Sequence, residues 1–414
     1  MKTFIGFNEA LGLTLAHVAT CGVQEVSLLQ AVGRTLARDI LACVDSPSIS
    51  TSRKDGFAVV SRDLDTAAAD APVALKLAGT LGAGDTRLLR IAPGAAVRVT
   101  TGARLPDGAD AVLAEEFCRV AGDVVICTNT AGAGRNILRR GTDVTSGAMV
   151  AGDGEKLSPP LLGLIAAAGH GTVTAHRPPR AAVIATGDEV VAPGAPLPEG
   201  KLYASNMVAI CGWLAACGIP FETAIVRDHR NDIRAAIQSR LAHTDVFLTS
   251  GGAWGSEKDL ILQVLETLNW TGIYHRVRMG PGKPIGFGLL ERKPFFVLPG
   301  GPPSNEMAFL QLALPALLKI KGEPPRVFPV ASARLAATVT GEKGWTEFVH
   351  ARLETRSDGL HVHPARLKSR LVSMAAKQAL IVIPEDRAEI TAGETIEIQV
   401  LDPSARGTEA AAHA

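Results

Sequence analysis

Three short runs place carboxylates beside glycine or hydroxyl residues at the ends of apolar segments. They are Thr186-Gly187-Asp188-Glu189, Arg227-Asp228, and Thr249-Ser250-Gly251-Gly252 with Asp259 shortly after. Glycine lets backbone N–H groups approach an anion with no side chain between, and a helix starting after such a turn adds its positive dipole end. The combination suits a phosphate or another oxyanion. Carboxylates next to an anion repel it unless a divalent cation lies between them, so the pairing points to Mg²⁺. A lone Asp after a strand is more often a turn residue or a helix cap. Three strand ends together carry more weight, and Pro281-Gly282-Lys283-Pro284 and Leu298-Pro299-Gly300-Gly301-Pro302-Pro303 add rigid backbone and a lysine.

The elements that must present these runs are read from hydrophobic spacing. AAVIAT (181–186), FETAIV (221–226), DVFLTS (245–250) and FFVLP (295–299) read as strands. SNMVAICGWLAACG (205–218), NDIRAAIQSRL (231–241), about 257–268 and about 304–320 read as helices. Alternation of the two predicts a parallel α/β sheet, whose ligand crevice lies beyond the carboxyl ends of the strands. Residues 8–19 and 24–42 carry helical apolar stripes, and 157–169 predicts a helix capped by Ser158, opened by Pro159 and closed by Gly169. Residues from about 46 to 144, and again after 325, are short, β-like and turn-rich.

Composition narrows the class. The chain has 414 residues, which at about 150 per domain predicts two to four domains. Its 42 basic and 41 acidic residues leave a net charge of +1, so no excess charge drives binding to nucleic acid or acidic membrane. The six cysteines form no C-x-x-C pair and read as reduced thiols. No apolar run is long enough to span a membrane, and the expected location is the cytoplasm. No P-loop or G-x-S-x-G element is present. His361 and His363 alternate in a strand and, without a third ligand, read as surface residues; His170 and His176 read as structural.

Taken in order, several motifs resemble those of the molybdopterin molybdenumtransferases, relatives of the E domain of gephyrin. They are KDGFAV (54–59), VTTGARLPDGADAV (99–112), NILRRGTDV (136–144), TGDE, SN (205–206), RD, TSGG with Asp259, PGKP (281–284) and LPGGPPS (298–304). The resemblance spans about residues 8–402. It implies a multidomain α/β protein: a joining domain from 1–45 and 145–178, a β-rich domain at 46–144, a three-layer parallel α/β domain of the molybdopterin-binding type at 179–322, a C-terminal β-barrel at 326–403, and a disordered tail at 404–414. It also implies a homodimer with active sites shared between subunits, and handover of substrate from a molybdopterin adenylyltransferase.

The implied reaction is Mg²⁺-dependent insertion of molybdate into adenylated molybdopterin with release of AMP. By matching position the catalytic residues would be Asp55, Thr101, Asp143, Asp188, Glu189, Asp228 and Asp259, with Asp188, Glu189, Asp228 and Asp259 on the metal. Arg139, Arg140, Ser250, Gly251, Gly252, Arg276, Lys283, Pro299 and Pro302 would hold substrate or phosphate, since pyrophosphate needs N–H donors and cations.

The chain departs from the family pattern where anions are handled. Arg53 and Lys54 flank Asp55, Leu138 replaces the first of three arginines, Arg276 replaces a lysine, Gly280 replaces another, and Gly301 replaces Asn. The loop after Gly252, with Trp254, also differs. All the acids are kept. That pattern fits a divergent paralogue; a noncatalytic molybdopterin-binding scaffold and an enzyme using tungstate are the alternatives.

Overall fold

The computed structural model describes residues 1–251, 260–325, 328–365 and 369–401. Gly252, Trp254, Asp259 and the tail at 404–414 lie outside the described residues. The chain divides into two units, Glu25–Ala175 and a second made of Met1–Gln24 with His176–Ala414.

The first unit is built on six strands: β1 (Gly56–Val59), β2 (Val73–Leu81), β3 (Ala95–Val99), β4 (Ala111–Ala114), β5 (Cys118–Ala121) and β6 (Val124–Cys127). They lie in the order β4-β1-β3-β2-β6-β5. Successive residues of β1 serve opposite faces: Phe57 and Val59 join one core with Leu113 and Val125, and Ala58 joins another with Val97 and Val112. This is the period-two burial that strand geometry imposes. A separate apolar cluster gathers Ala31, Leu36, Ile40, Ala151, Leu157, Ile165 and Val173. Its helix α1 (Pro159–Ala167) forms as its residues predict: the Ser158 hydroxyl accepts from the Leu161 N–H at 3.4 Å, Pro159 opens the first turn, and Gly169 adopts φ +98°. The helical stripe read over 24–42 is corrected. A strand at Val23–Ser27, a short 3₁₀ turn and a two-residue strand occupy that stretch, because β-branched and polar residues at 23–27 pair with Thr172–His176.

The second unit alternates strand and helix: β7 (Ala181–Thr186), α2 (Ser205–Ala216), β8 (Phe221–Val226), α3 (Arg230–Gln238), β9 (Val246–Ser250), α4 (Leu260–Glu266), β10 (Thr271–Gly280), β11 (Gly286–Leu290) and β12 (Lys293–Leu298). Strands β8, β7, β9 and β12 run parallel in that order, and β11 and β10 continue the sheet antiparallel. Ala181, Val183 and Ala185 pack on one face with α2, while Ala182 and Ile184 pack on the other with α3 and α4. After Leu298 the chain enters α5 (Pro302–Ala308), a π turn (Phe309–Ala313) and α6 (Leu314–Ile320), apolar on nearly every side and correspondingly buried.

Five further strands are β13 (Val330–Leu335), β14 (Thr346–Arg356), β15 (Gly359–Pro364), β16 (Ala379–Ile383) and β17 (Thr395–Val400), with α7 (Arg370–Ala376) between β15 and β16. The pairings β14–β15, β15–β13, β13–β17, β17–β16 and β16–β14 close on themselves, giving a five-stranded barrel-like ring. His361 is a correction to the surface reading: it is buried in β15 and bonds Asp358 at 2.8 Å, whereas His363, half exposed, bonds Glu354 at 2.7 Å. No helix among the described residues is long and apolar enough to cross a membrane.

Candidate functional site

In the second unit, the parallel register of β7, β8 and β9 brings Thr186, Val226 and Ser250 to one edge of the sheet. Local chemistry then directs the chain as it leaves each strand. Gly187 adopts φ +147°, turning the chain so that Asp188 and Glu189 come immediately after. The Asp228 N–H donates to Asp188 Oδ1 at 3.2 Å, tying the ends of β7 and β8. Asp228 therefore faces two other acids. Partial desolvation of its carboxyl, then the charges of Glu189 and Asp188, push it above the ordinary carboxylate range.

Ser250 ends β9 and is nearly buried. Its hydroxyl oxygen accepts from the side-chain amides of Asn206, at 3.3 Å, and Asn305, at 3.1 Å. The same two amides donate to the Gly300 and Pro299 carbonyls, both at 2.8 Å, so they brace the LPGGPP turn against β9. With both lone pairs of Ser250 engaged, its own O–H is the group left to donate. Gly251 has φ +110°, and a Cβ there would meet the Thr186 carbonyl oxygen at 2.8 Å, so no other residue fits without strain. Pro302 occupies the first turn of α5.

Asn206, Ser250, Gly251, Gly300 and Pro302 line a cavity of about 490 Å³ together with Thr186, Glu189, Tyr203 and Arg370. Asn206, Asn305 and Arg370 complete the site although sequence reasoning did not assign them roles. The Ser-Asn pair at 205–206 was a signal for the first; nothing around Arg370 marked it. Arg276 and Lys283 lie elsewhere, lining a recess of about 540 Å³ with Thr3, Phe4 and His275. The Lys283 ammonium sits 5.2 Å from the ring centres of both Phe4 and Trp345, a cation–π clamp. At Gly280 the Glu347 carboxylate occupies the space in which a side chain would begin, whereas Gly301 has open space.

In the first unit, Thr101 donates both its N–H (2.6 Å) and its hydroxyl (2.9 Å) to Asp55 Oδ1. These bonds, and then the charge of Arg98, hold the exposed Asp55 carboxyl below its usual range. Gly56 beside it is required, because a Cβ would collide with the Leu113 carbonyl oxygen. Asp143 is exposed, its N–H bonded to the Ser46 carbonyl. Arg140 is paired with Asp45, and the Arg139 carbonyl accepts from the Thr142 hydroxyl.

Hard carboxylate oxygens whose charges crowd one another have the donor chemistry of a Mg²⁺ site. As placed, no three acidic, histidine or cysteine side chains among the described residues converge into a metal-holding group.

Residues 5–169 match the family model described as MoeA N-terminal region (domain I and II), 182–319 the one described as "Probable molybdopterin binding domain", and 332–401 MoeA C-terminal region (domain IV). The chain is 31% identical over 384 residues to molybdopterin molybdenumtransferase 2 of Mycobacterium tuberculosis, covering 91% of this chain and 95% of that one. It is 30% identical over 389 residues to the molybdopterin molybdenumtransferase of Haemophilus influenzae, covering 90% and 93%. A crystal structure of the molybdopterin biosynthesis MoeA protein from Pyrococcus horikoshii superposes with a TM-score of 0.83 at 29% identity, over 96% of this chain and 99% of that one.

Proposed function

Starting from a chain that belongs to the molybdopterin molybdenumtransferase (MoeA) family, we propose that it inserts molybdate into adenylated molybdopterin in a Mg²⁺-dependent reaction that releases AMP. The observation that carries this reading is that Glu189 lines one cavity with Ser250 and Gly251, while Asp188 and Asp228, bonded to each other, follow the neighbouring strand ends. The Ser250 hydroxyl would donate to an oxyanion, molybdate or pyrophosphate, and Arg370 would supply positive charge at the cavity wall. Asp188, Glu189 and Asp228, with Asp259, would hold Mg²⁺. Bound there, the cation would offset phosphate charge as the anhydride is cleaved. Asn206 and Asn305 would keep Ser250 and the 299–302 turn in place.

The reading includes a cytoplasmic homodimer that receives substrate from a molybdopterin adenylyltransferase. In it, Asp55, Thr101 and Asp143 of one subunit serve the acids of the other. Purified protein given adenylated molybdopterin, molybdate and Mg²⁺ is expected to release AMP, and no release under conditions where a relative works would overturn the assignment. In the same assay, Asp55→Ala and Asp228→Ala are each expected to be inactive, with activity returning on subunit exchange; inactive but proven heterodimers would remove the shared site. Molybdate and tungstate offered together at low concentration in this assay test the alternative oxyanion, and equal use would show no preference between the two.

A second reading rests on Gly280. A carboxylate, Glu347, stands where the family pattern carries a lysine. Loss of positive charge there favours a protein that binds molybdopterin without turning it over. Stoichiometric binding without AMP release is its signature.

A further inference from the structure

The edge hairpin β5–β6 carries two of the chain's six free cysteines. Cys118 opens β5, Cys127 closes β6, and the antiparallel register sets them directly opposite each other. The Thr128 N–H donates to the Phe117 carbonyl at 2.9 Å, which makes the neighbouring pair the hydrogen-bonded one. Cys118 and Cys127 are therefore a non-hydrogen-bonded pair, in which Cα atoms approach to about 4.5 Å and side chains leave the same face. That separation falls within the span of about 4.4–6.8 Å that a disulfide bridges.

Burial divides the two thiols into different roles. Cys127 is fully buried in the core containing Phe57, Leu113 and Val125, while Cys118 is only partly covered and meets solvent. The Cys118 thiol donates to the Ala114 carbonyl at 3.7 Å. The two thiols are coupled, so the first ionisation belongs to the pair, and Cys118 is the sulfur of that pair that an oxidant reaches. The other four cysteines offer no such arrangement: Cys211 and Cys217 are six residues apart along and beyond α2, Cys43 is exposed beside His170, and the Cys21 thiol donates to the Arg177 carbonyl.

We propose that Cys118 and Cys127 are a dithiol site for small disulfide oxidants of the glutathione type, closing into an intrachain disulfide that staples the edge hairpin. The Cys118 sulfur, as thiolate, attacks one sulfur of the oxidant, forming a mixed disulfide and expelling one thiolate. Cys127, after losing its proton, attacks Cys118 Sγ, breaks the mixed disulfide and expels the second thiolate. Two electrons pass from the protein to the oxidant, and the two protons end on the two released thiols. Cytosolic disulfides of this kind are transient and redox-sensing.

The test uses the full chain. After incubation with excess oxidised glutathione, free thiols are alkylated under denaturing conditions and the peptides mapped by mass spectrometry. The expected result is loss of two hydrogen atoms per chain, a peptide joining 118 to 127, and full reversal by dithiothreitol. Cys127→Ser should instead trap glutathione on Cys118. The proposal is overturned if wild-type Cys118 and Cys127 both alkylate fully while Cys43 carries glutathione, or if either cysteine pairs with a different partner.

Discussion

Asp55 and Asp228 are both acids set beside strands in the two units, and their surroundings push them in opposite directions. Asp55 receives two hydrogen bonds from Thr101 and has Arg98 nearby, so the fold favours its charge. Asp228 receives no such support: its carboxyl is partly desolvated and faces Glu189 and Asp188, so the fold disfavours its charge. The first arrangement favours the ionised carboxylate and fixes its orientation. The second keeps repulsion in reserve until a cation relieves it. Neutralising the two residues should therefore have opposite effects on stability.

The largest effect is expected at Asp228. Asp228→Asn should lower AMP release on the order of 10²-fold or more, the scale for losing one electrostatic contact in a reacting site. Melting temperature at neutral pH should hold or rise slightly, because a raised carboxyl pKa means that ionisation costs folding energy. That cost is relieved as pH falls through the raised value toward the ordinary 3.8. Asp228 is exposed as a residue, so screening keeps the gain small. A marked loss of stability would break the contrast with Asp55.

Next in size is Asn305→Ala. Asn305 is 1% exposed, and its removal strips a donor from both Ser250 and the Pro299 carbonyl. A loss of about 1–3 kcal/mol in denaturant unfolding is expected, with substrate affinity falling as well. Unchanged affinity would mean that Ser250 needs no bracing.

The smallest effect is expected from Thr101→Val, which removes the hydroxyl bond to Asp55 and keeps the N–H bond. The carboxyl should titrate closer to 3.8 in an NMR titration. A depressed pKa contributes stability above the ordinary value that is lost as pH falls through the depressed one, so the acid-unfolding midpoint should shift slightly upward. No shift in either would place the support of Asp55 elsewhere.

The strands that end at the site were legible because each is a short, mainly apolar run followed within two residues by Gly or Asp. AAVIAT and FETAIV match β7 and β8. Strand β10 escaped notice because TGIYHRVRMG interleaves charges with apolar residues; Arg278 leaves the sheet to bond the Phe4 and Gly344 carbonyls. The same blind spot hid the parallel pairing of Lys2–Gly6 with β10. At the site, Asp188, Glu189, Asp228, Ser250 and Gly251 could be read from strand ends, but Asn305 and Arg370 could not. Both come from helices whose placement, behind Ser250 for Asn305 and at the cavity wall for Arg370, is decided by packing. One such contact is the buried Glu306–Lys377 pair at 2.6 Å, linking α5 to the segment after α7. Local spacing carries no record of that contact.

The closed ring β13–β17 has a mechanical consequence. A sheet with two ends can be peeled one ladder at a time, as β5 can be from β6 alone. Strand β17 is bonded on both flanks, to β13 and to β16, so tension on the chain's C-terminal end must rupture two ladders together before the strand yields. An unfoldase pulling on the backbone beyond Val400 meets both ladders of β17 at once.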